Sequence, residues 1–148
     1  MEALAGAGVP VTLLFAPVIP ALNDHEMETI LGSASDAGAT RAAYMQLRLP
    51  LENRELFFEW LQQHHPLRAQ HVISLLRQSR GGRDYDSRFG HRMRGTGPFA
   101  DILRQRFRVC SKKLGLGEGE QPASRTDLFQ PPAVAGRGSP DQIDLFQL

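Results

Sequence analysis

Hydrophobic residues follow two different rhythms along this chain. From Val9 to Ile19 the run V-P-V-T-L-L-F-A-P-V-I is almost continuous, rich in β-branched and aromatic residues and without alternation. Such a run predicts a parallel strand buried on both faces. Pro10 suits its start and Pro17 its end, where no ladder N–H is required. Asn23 with Glu26 three residues later resembles a capping box. Met27, Ile30, Leu31 and Ala34 then recur at helical spacing, and Gly38 suits the position just past the helix end. A second strand is expected from about Thr40 to Leu49. The order strand, helix, strand is a βα unit leading into the next parallel strand.

Past Pro50 the period becomes helical throughout. Leu56, Phe57, Trp60 and Leu61 make one apolar face, which ends at His65-Pro66. Pro66 can open the next helix at its first position, with Ala69, Val72, Ile73 and Leu76 inward and Gly81-Gly82 as the stop. A basic, Gly-rich segment runs to Gly97. Pro98 then starts a helix carrying Phe99, Ile102, Leu103, Phe107, Cys110 and Leu114. From Gly115 onward Gly and Pro are frequent and core formers few, which predicts a disordered tail.

A strand apolar on both faces needs neighbours on either side and cover above and below. The chain supplies at most one strand pairing and a few helices, whereas a complete βα barrel takes about 250 residues. The expected fold is therefore α/β, the C-terminal portion of a larger parallel sheet. Residues 1–50 would hold the last βαβ part, 51–114 a helical extension with the Arg-rich segment, and 115–148 the tail.

Composition adds constraints on partners. Of 148 residues 41% are hydrophobic, enough for a packed core, and the single cysteine excludes a disulfide framework or a multi-cysteine metal site. No membrane span is expected, and Met1–Leu14, which carries Glu2 and no basic start, makes a poor signal peptide. A soluble, cytoplasmic protein is the expectation. The net charge of +1 hides an asymmetry: residues 77–113 carry eleven basic and three acidic side chains, while both flanking blocks are net acidic. Charge this uneven speaks of partners rather than of fold.

The stretch Pro17-Val18-Ile19-Pro20-Ala21-Leu22-Asn23-Asp24 resembles the G-x-I-x-G-x-x-E motif on the fifth strand of radical S-adenosylmethionine (SAM) barrels, with Ile19 matching and Pro17, Ala21 and Asp24 replacing the glycines and glutamate. The longer context A-P-V-I-P-A-L-N-D-H-E, then L-R-L-P-L and R-G-G-R-D-Y-D-S-R-F-G-x-R-M-R-G-x-G-P-F, with a Leu-Phe terminus, resembles the C-terminal half of the spore-photoproduct-lyase-like group, often described as DNA repair photolyases. The resemblance covers roughly residues 2–114 and the last few. It implies that Val11–Ile19 and Thr40–Leu49 are barrel strands five and six. It also implies a missing N-terminal barrel half and a SAM contact at Pro17, Val18, Ile19, Ala21 and Leu47. The family's 4Fe-4S cluster is held by a C-x-x-x-C-x-x-C motif in the first strand's loop. Those cysteines are absent here, so the chain alone is expected to be inactive in radical generation.

Three further candidates come from the residues themselves. Arg88, Arg92, Arg94 and Arg104, interleaved with aromatics and glycines, suit phosphate contact, and Gly95 and Gly97 before Pro98 place free N–H groups at a helix start. DNA is one anion such a block would take; a small phosphate or carboxylate is another, and a solvated face is the bland account. Gln142-Ile143-Asp144-Leu145-Phe146 resembles the Q-L-S/D-L-F peptide that docks bacterial repair proteins on the sliding clamp; Gln142, Leu145 and Phe146 would be its anchors. Thr126-Asp127-Leu128-Phe129 is a weaker echo without the Gln. His25, His64, His65 and His71 lack metal-ligand spacing, and no metal is assigned. The leading expectation is a radical SAM enzyme acting on DNA damage, with a catalytically dead nucleic-acid and clamp-binding module, or a structural remnant, as alternatives.

Overall fold

The computed structural model describes residues 1–83 and 91–117. A short helix, α1 (Glu2–Gly6), leads into strand β1 (Thr12–Val18). A 3-10 turn (Asp24–Glu26) and helix α2 (Met27–Asp36) connect β1 to strand β2 (Arg41–Gln46). A helical hairpin, α3 (Leu51–His64) and α4 (Pro66–Gln78), follows. The short α5 (His91–Arg94) and the long α6 (Pro98–Lys113) complete the described chain.

The two strands pair in parallel, in the register Thr12↔Arg41 to Phe15↔Tyr44, and the ladder resumes at Val18↔Gln46. The extra residue falls in β1, where Pro17, reached by a cis peptide bond, has no N–H to offer the ladder. After α6 the chain returns to the sheet. Gly117 bridges Arg41 in parallel, its N–H donating to the Thr40 carbonyl at 2.9 Å and its carbonyl accepting from Ala42 at 3.2 Å. Both edges of β2 are thereby engaged. The fold extends past the expected tail boundary at Gly115, because Leu116 is buried in the core.

One face of the sheet carries the main core. Phe15, Val18 and Ala42 meet Met27, Leu31 and Ala34 of α2 and Leu103 and Phe107 of α6. The Tyr44 and Phe107 rings lie 4.8 Å apart, centroid to centroid, tilted by 52°. Among the described residues nothing covers the opposite face: Leu14 is 56% exposed, and Ala16 and Ala43 are exposed as well. The expectation of a strand buried on both faces is thus corrected. The unbroken apolar run hides an alternation in which Val11, Leu13, Phe15 and Val18 turn toward the main core and Ile19 toward the hairpin.

A second core lies beyond the strand ends. Leu61, Ala69, Val72, Ile73 and Leu76 form it within the hairpin, and Ile19, Ala21, Leu22 and Leu47 pack against it from the sheet side. The inward face read for α4 is the one observed. That of α3 is corrected: Leu61 is buried and Phe57 half-buried, but Leu56 and Trp60 are exposed. In α6, Ile102 likewise faces outward. Gly38 and the Gly81-Gly82 pair adopt the left-handed conformation that ends α2 and α4, as their positions predicted.

This one-sided core sets a testable contrast. Phe107→Ala should cost about 3–5 kcal/mol, as expected for a buried aromatic. Leu14→Ala should cost about 1 kcal/mol or less, because its face has no cover to lose. Urea unfolding of the two variants measures the difference.

Candidate functional site

The C-terminal strand ends, where sheets of this class receive ligands, carry both apolar and polar features. Asn23 organises the turn after β1. Its Oδ1 accepts from the Ile19 N–H at 2.7 Å, and its Nδ2 donates to the Pro17 carbonyl at 3.0 Å. The expected capping box is therefore absent: Asn23 caps no helix N–H but staples the strand exit to the turn. The staple holds Ala21 at φ +57°, a left-handed conformation unusual for a residue other than glycine. Leu47 closes the pair of exits, its N–H donating to the Val18 carbonyl at 2.9 Å.

The residues expected around SAM separate in space. Val18 is fully buried in the sheet–helix core and Pro17 is exposed. Ile19, Ala21 and Leu47 come together as a half-buried apolar shelf against the α3–α4 hairpin.

A polar centre that the sequence did not announce sits beside this shelf. Gln46 is 1% exposed, and neither its Oε1 nor its Nε2 has a hydrogen-bond partner among the described residues. The Ser79 hydroxyl is likewise buried without one. Gly95, at φ +68°, lies directly over the Gln46 amide; a Cβ there would fall 2.4 Å from Oε1 and 3.2 Å from the Ser79 Cβ. Thr96 anchors the same loop, its N–H donating to the Ser79 carbonyl at 2.9 Å. The buried Arg80 guanidinium donates to the Leu47 carbonyl. One signal was available: Gln46 is the only amide side chain in a segment, A-A-Y-M-Q, whose alternation points it inward.

Among the described residues the basic block does not form one surface. Arg80 is buried at β2, and Arg77 lies over the Phe58 ring, 5.9 Å from its centroid. Arg104 pairs with Asp101 of its own helix at 2.7 Å. Arg106 reaches across to α2, donating to both Glu28 carboxylate oxygens at 2.7 and 2.8 Å and to Asp24 at 3.2 Å. Arg94 and Arg108 are exposed, and Arg92 lies in α5. Gly95 covers Gln46, and Gly97 starts α6 at φ +87°. Arg88, Gln142, Leu145 and Phe146 lie outside the described residues.

The hydrogen bonds from Arg106 hold the Glu28 carboxyl below the ordinary glutamate range, and Glu28 in turn raises the Arg106 guanidinium. Burial, with the charge of Glu28, pushes the Cys110 thiol up; Lys113 opposes it. Among the described residues no group of His, Cys, Asp and Glu could hold a metal ion, and no helix is long and apolar enough to cross a membrane. Protein-family models, curated proteins and solved structures offer no match to this chain.

Arg106→Ala should destabilise the protein by roughly 1 kcal/mol, a modest figure because water reaches Glu28. The pH dependence carries the sign. A carboxyl whose folded pKa is depressed stabilises the fold above its unfolded value of about 4.3 and loses that contribution as pH falls through the folded value. The gap between wild type and Arg106→Ala should be full at neutral pH and close on acidification, as thermal melts across that range would record.

Proposed function

We propose that this chain is the C-terminal arc of a radical SAM barrel and that its strand ends bind the adenosyl portion of SAM. One observation carries the reading. Ile19, Ala21 and Leu47 form an apolar shelf at the exits of two parallel strands, and the neighbouring Gln46 holds a buried donor and acceptor with no partner among the described residues. An apolar shelf suits a purine face, and a glutamine amide matches the donor–acceptor edge of adenine, which reaches Gln46 when the Gly95–Thr96 segment lying over the amide opens. The sequence resemblance to the spore-photoproduct-lyase-like group supports the same ligand.

The family's cluster is a separate matter. SAM chemistry of that kind draws its radical from a 4Fe-4S centre held by three thiolates. This chain contains one cysteine, Cys110, set in α6 against the sheet core, so its residues do not fit the cluster. The radical-generating step, in this reading, belongs to residues outside the sequence, and the chain's own part is to position the nucleoside.

S-adenosylhomocysteine tests the nucleoside site without radical chemistry. Titrated into the full chain, it should shift the amide resonances of Ile19–Asn23 and Gln46–Arg48. Gln46→Met should weaken that response while raising stability by about 1–2 kcal/mol, since it removes a buried amide that has no partner among the described residues. No shifts at millimolar ligand, or shifts confined to other segments, would overturn the reading.

A second reading, polyanion binding without catalysis, is favoured by the basic stripe Arg104, Arg108 and Lys112, exposed at successive turns of α6. Binding to DNA through this stripe would weaken linearly in log affinity against log salt. Arg108→Ala with Lys112→Ala should flatten that slope; an unchanged slope would remove α6 as the contact. Docking of Gln142, Leu145 and Phe146 on a sliding clamp belongs to the same reading.

A further inference from the structure

The outer side of α6 is not uniformly polar. Ile102 and Val109 are 57% and 58% exposed, and with Cys110 and Leu114 they line a groove of about 530 Å3 rimmed by the Arg106–Glu28 ion pair and by Lys113. Exposed aliphatic side chains grouped along one helix mark a contact surface. The basic stripe of α6 runs alongside.

Residues 118–148 bring chemistry that fits. They hold five acidic and two basic side chains, and they contain the tetrapeptide Asp-Leu-Phe-Gln twice, at Asp127–Gln130 and Asp144–Gln147. Each copy joins two large apolar side chains to a carboxylate, the complement of an apolar groove with Lys113 at its rim. Reach is sufficient. Gly117 is fixed beside Arg41, just past the C-terminal end of α6, where Lys113 and Leu114 close the groove. The nine intervening residues span up to about 30 Å, and α6 is about 24 Å long.

We infer that the nearer copy, Asp127-Leu128-Phe129-Gln130, docks in the α6 groove of its own chain, Leu128 and Phe129 entering between Ile102, Val109 and Leu114 with Asp127 toward Lys113. The short connection gives this copy the higher effective concentration and leaves the terminal copy free. The inference is independent of the SAM reading.

Cys110, the single cysteine, lies in the groove and reports on its cover. The rate of alkylation by iodoacetamide is measured on the full chain at fixed pH. Leu128→Ala with Phe129→Ala should raise that rate severalfold and move the Ile102 and Val109 methyl resonances. Leu145→Ala with Phe146→Ala should leave both as in wild type. Thermal melts of the variants separate loss of cover from loss of fold: faster alkylation with an unchanged melt supports docking, whereas faster alkylation that tracks a lowered melt overturns it. An unchanged rate in the Leu128/Phe129 variant, or an equal rise in the Leu145/Phe146 variant, also overturns it. Protection that increases with protein concentration would assign the groove to a second copy and overturn docking within one chain.

Discussion

Parallel pairing between Thr12–Val18 and Arg41–Gln46 is the constraint on which the rest depends. Parallel strands cannot be joined by a tight turn, so the connection must cross over the sheet, and α2 does so. The chain then leaves β2, builds the α3–α4 hairpin and returns through α6 to place Gly117 beside Arg41. Both long connections lie over the same face, which is why Phe15, Leu31, Leu103 and Phe107 share one core while Leu14 faces outward. Among the described residues the sheet has one covered face and one apolar face without cover.

The hairpin gives the strand ends their character. By packing on Ile19, Ala21 and Leu47 it turns two strand exits into a shelf, and through Arg80 on the Leu47 carbonyl and Ser79 on Thr96 it draws the α5–α6 loop over Gln46. The result is a buried amide with nothing to bond among the described residues. Folds rarely keep such a group unless it serves something besides stability. That juxtaposition is the physical basis for reading the strand ends as a binding site.

Electrostatics divides the arginine-rich segment in a way that charge counting cannot foresee. Arg106 locks α6 to α2 through Glu28 and Asp24, Arg80 supports β2, and Arg104 satisfies Asp101 within its helix. Among the described residues Arg83 and Arg94 are exposed, and on the solvent side of α6 Arg108 and Lys112 flank exposed aliphatic residues. A basic face beside an apolar groove is suited to an acidic peptide with apolar anchors as much as to a nucleic-acid backbone.

The sequence by itself determined the local architecture. Apolar spacing fixed α2, α4 and α6, the β-branched run fixed β1, and Gly38, Pro66, Gly81 and Pro98 fixed where helices begin and end, because those signals act within a few residues. Only tertiary structure decided the rest. A continuous apolar run does not say which face will be covered, so Leu14 and Leu56 could not be told from Phe15 and Leu61. Asn23 could cap a helix or staple a turn, and the geometry of Pro17 and Ile19 selected the staple. Gln46, Ser79 and Gly95 are far apart in sequence, and Gly95 read there only as part of an anion site at the start of α6; their meeting depends on where α4 ends against β2. Long-range packing, not local propensity, made the polar centre, and so the candidate site was legible in its apolar half alone.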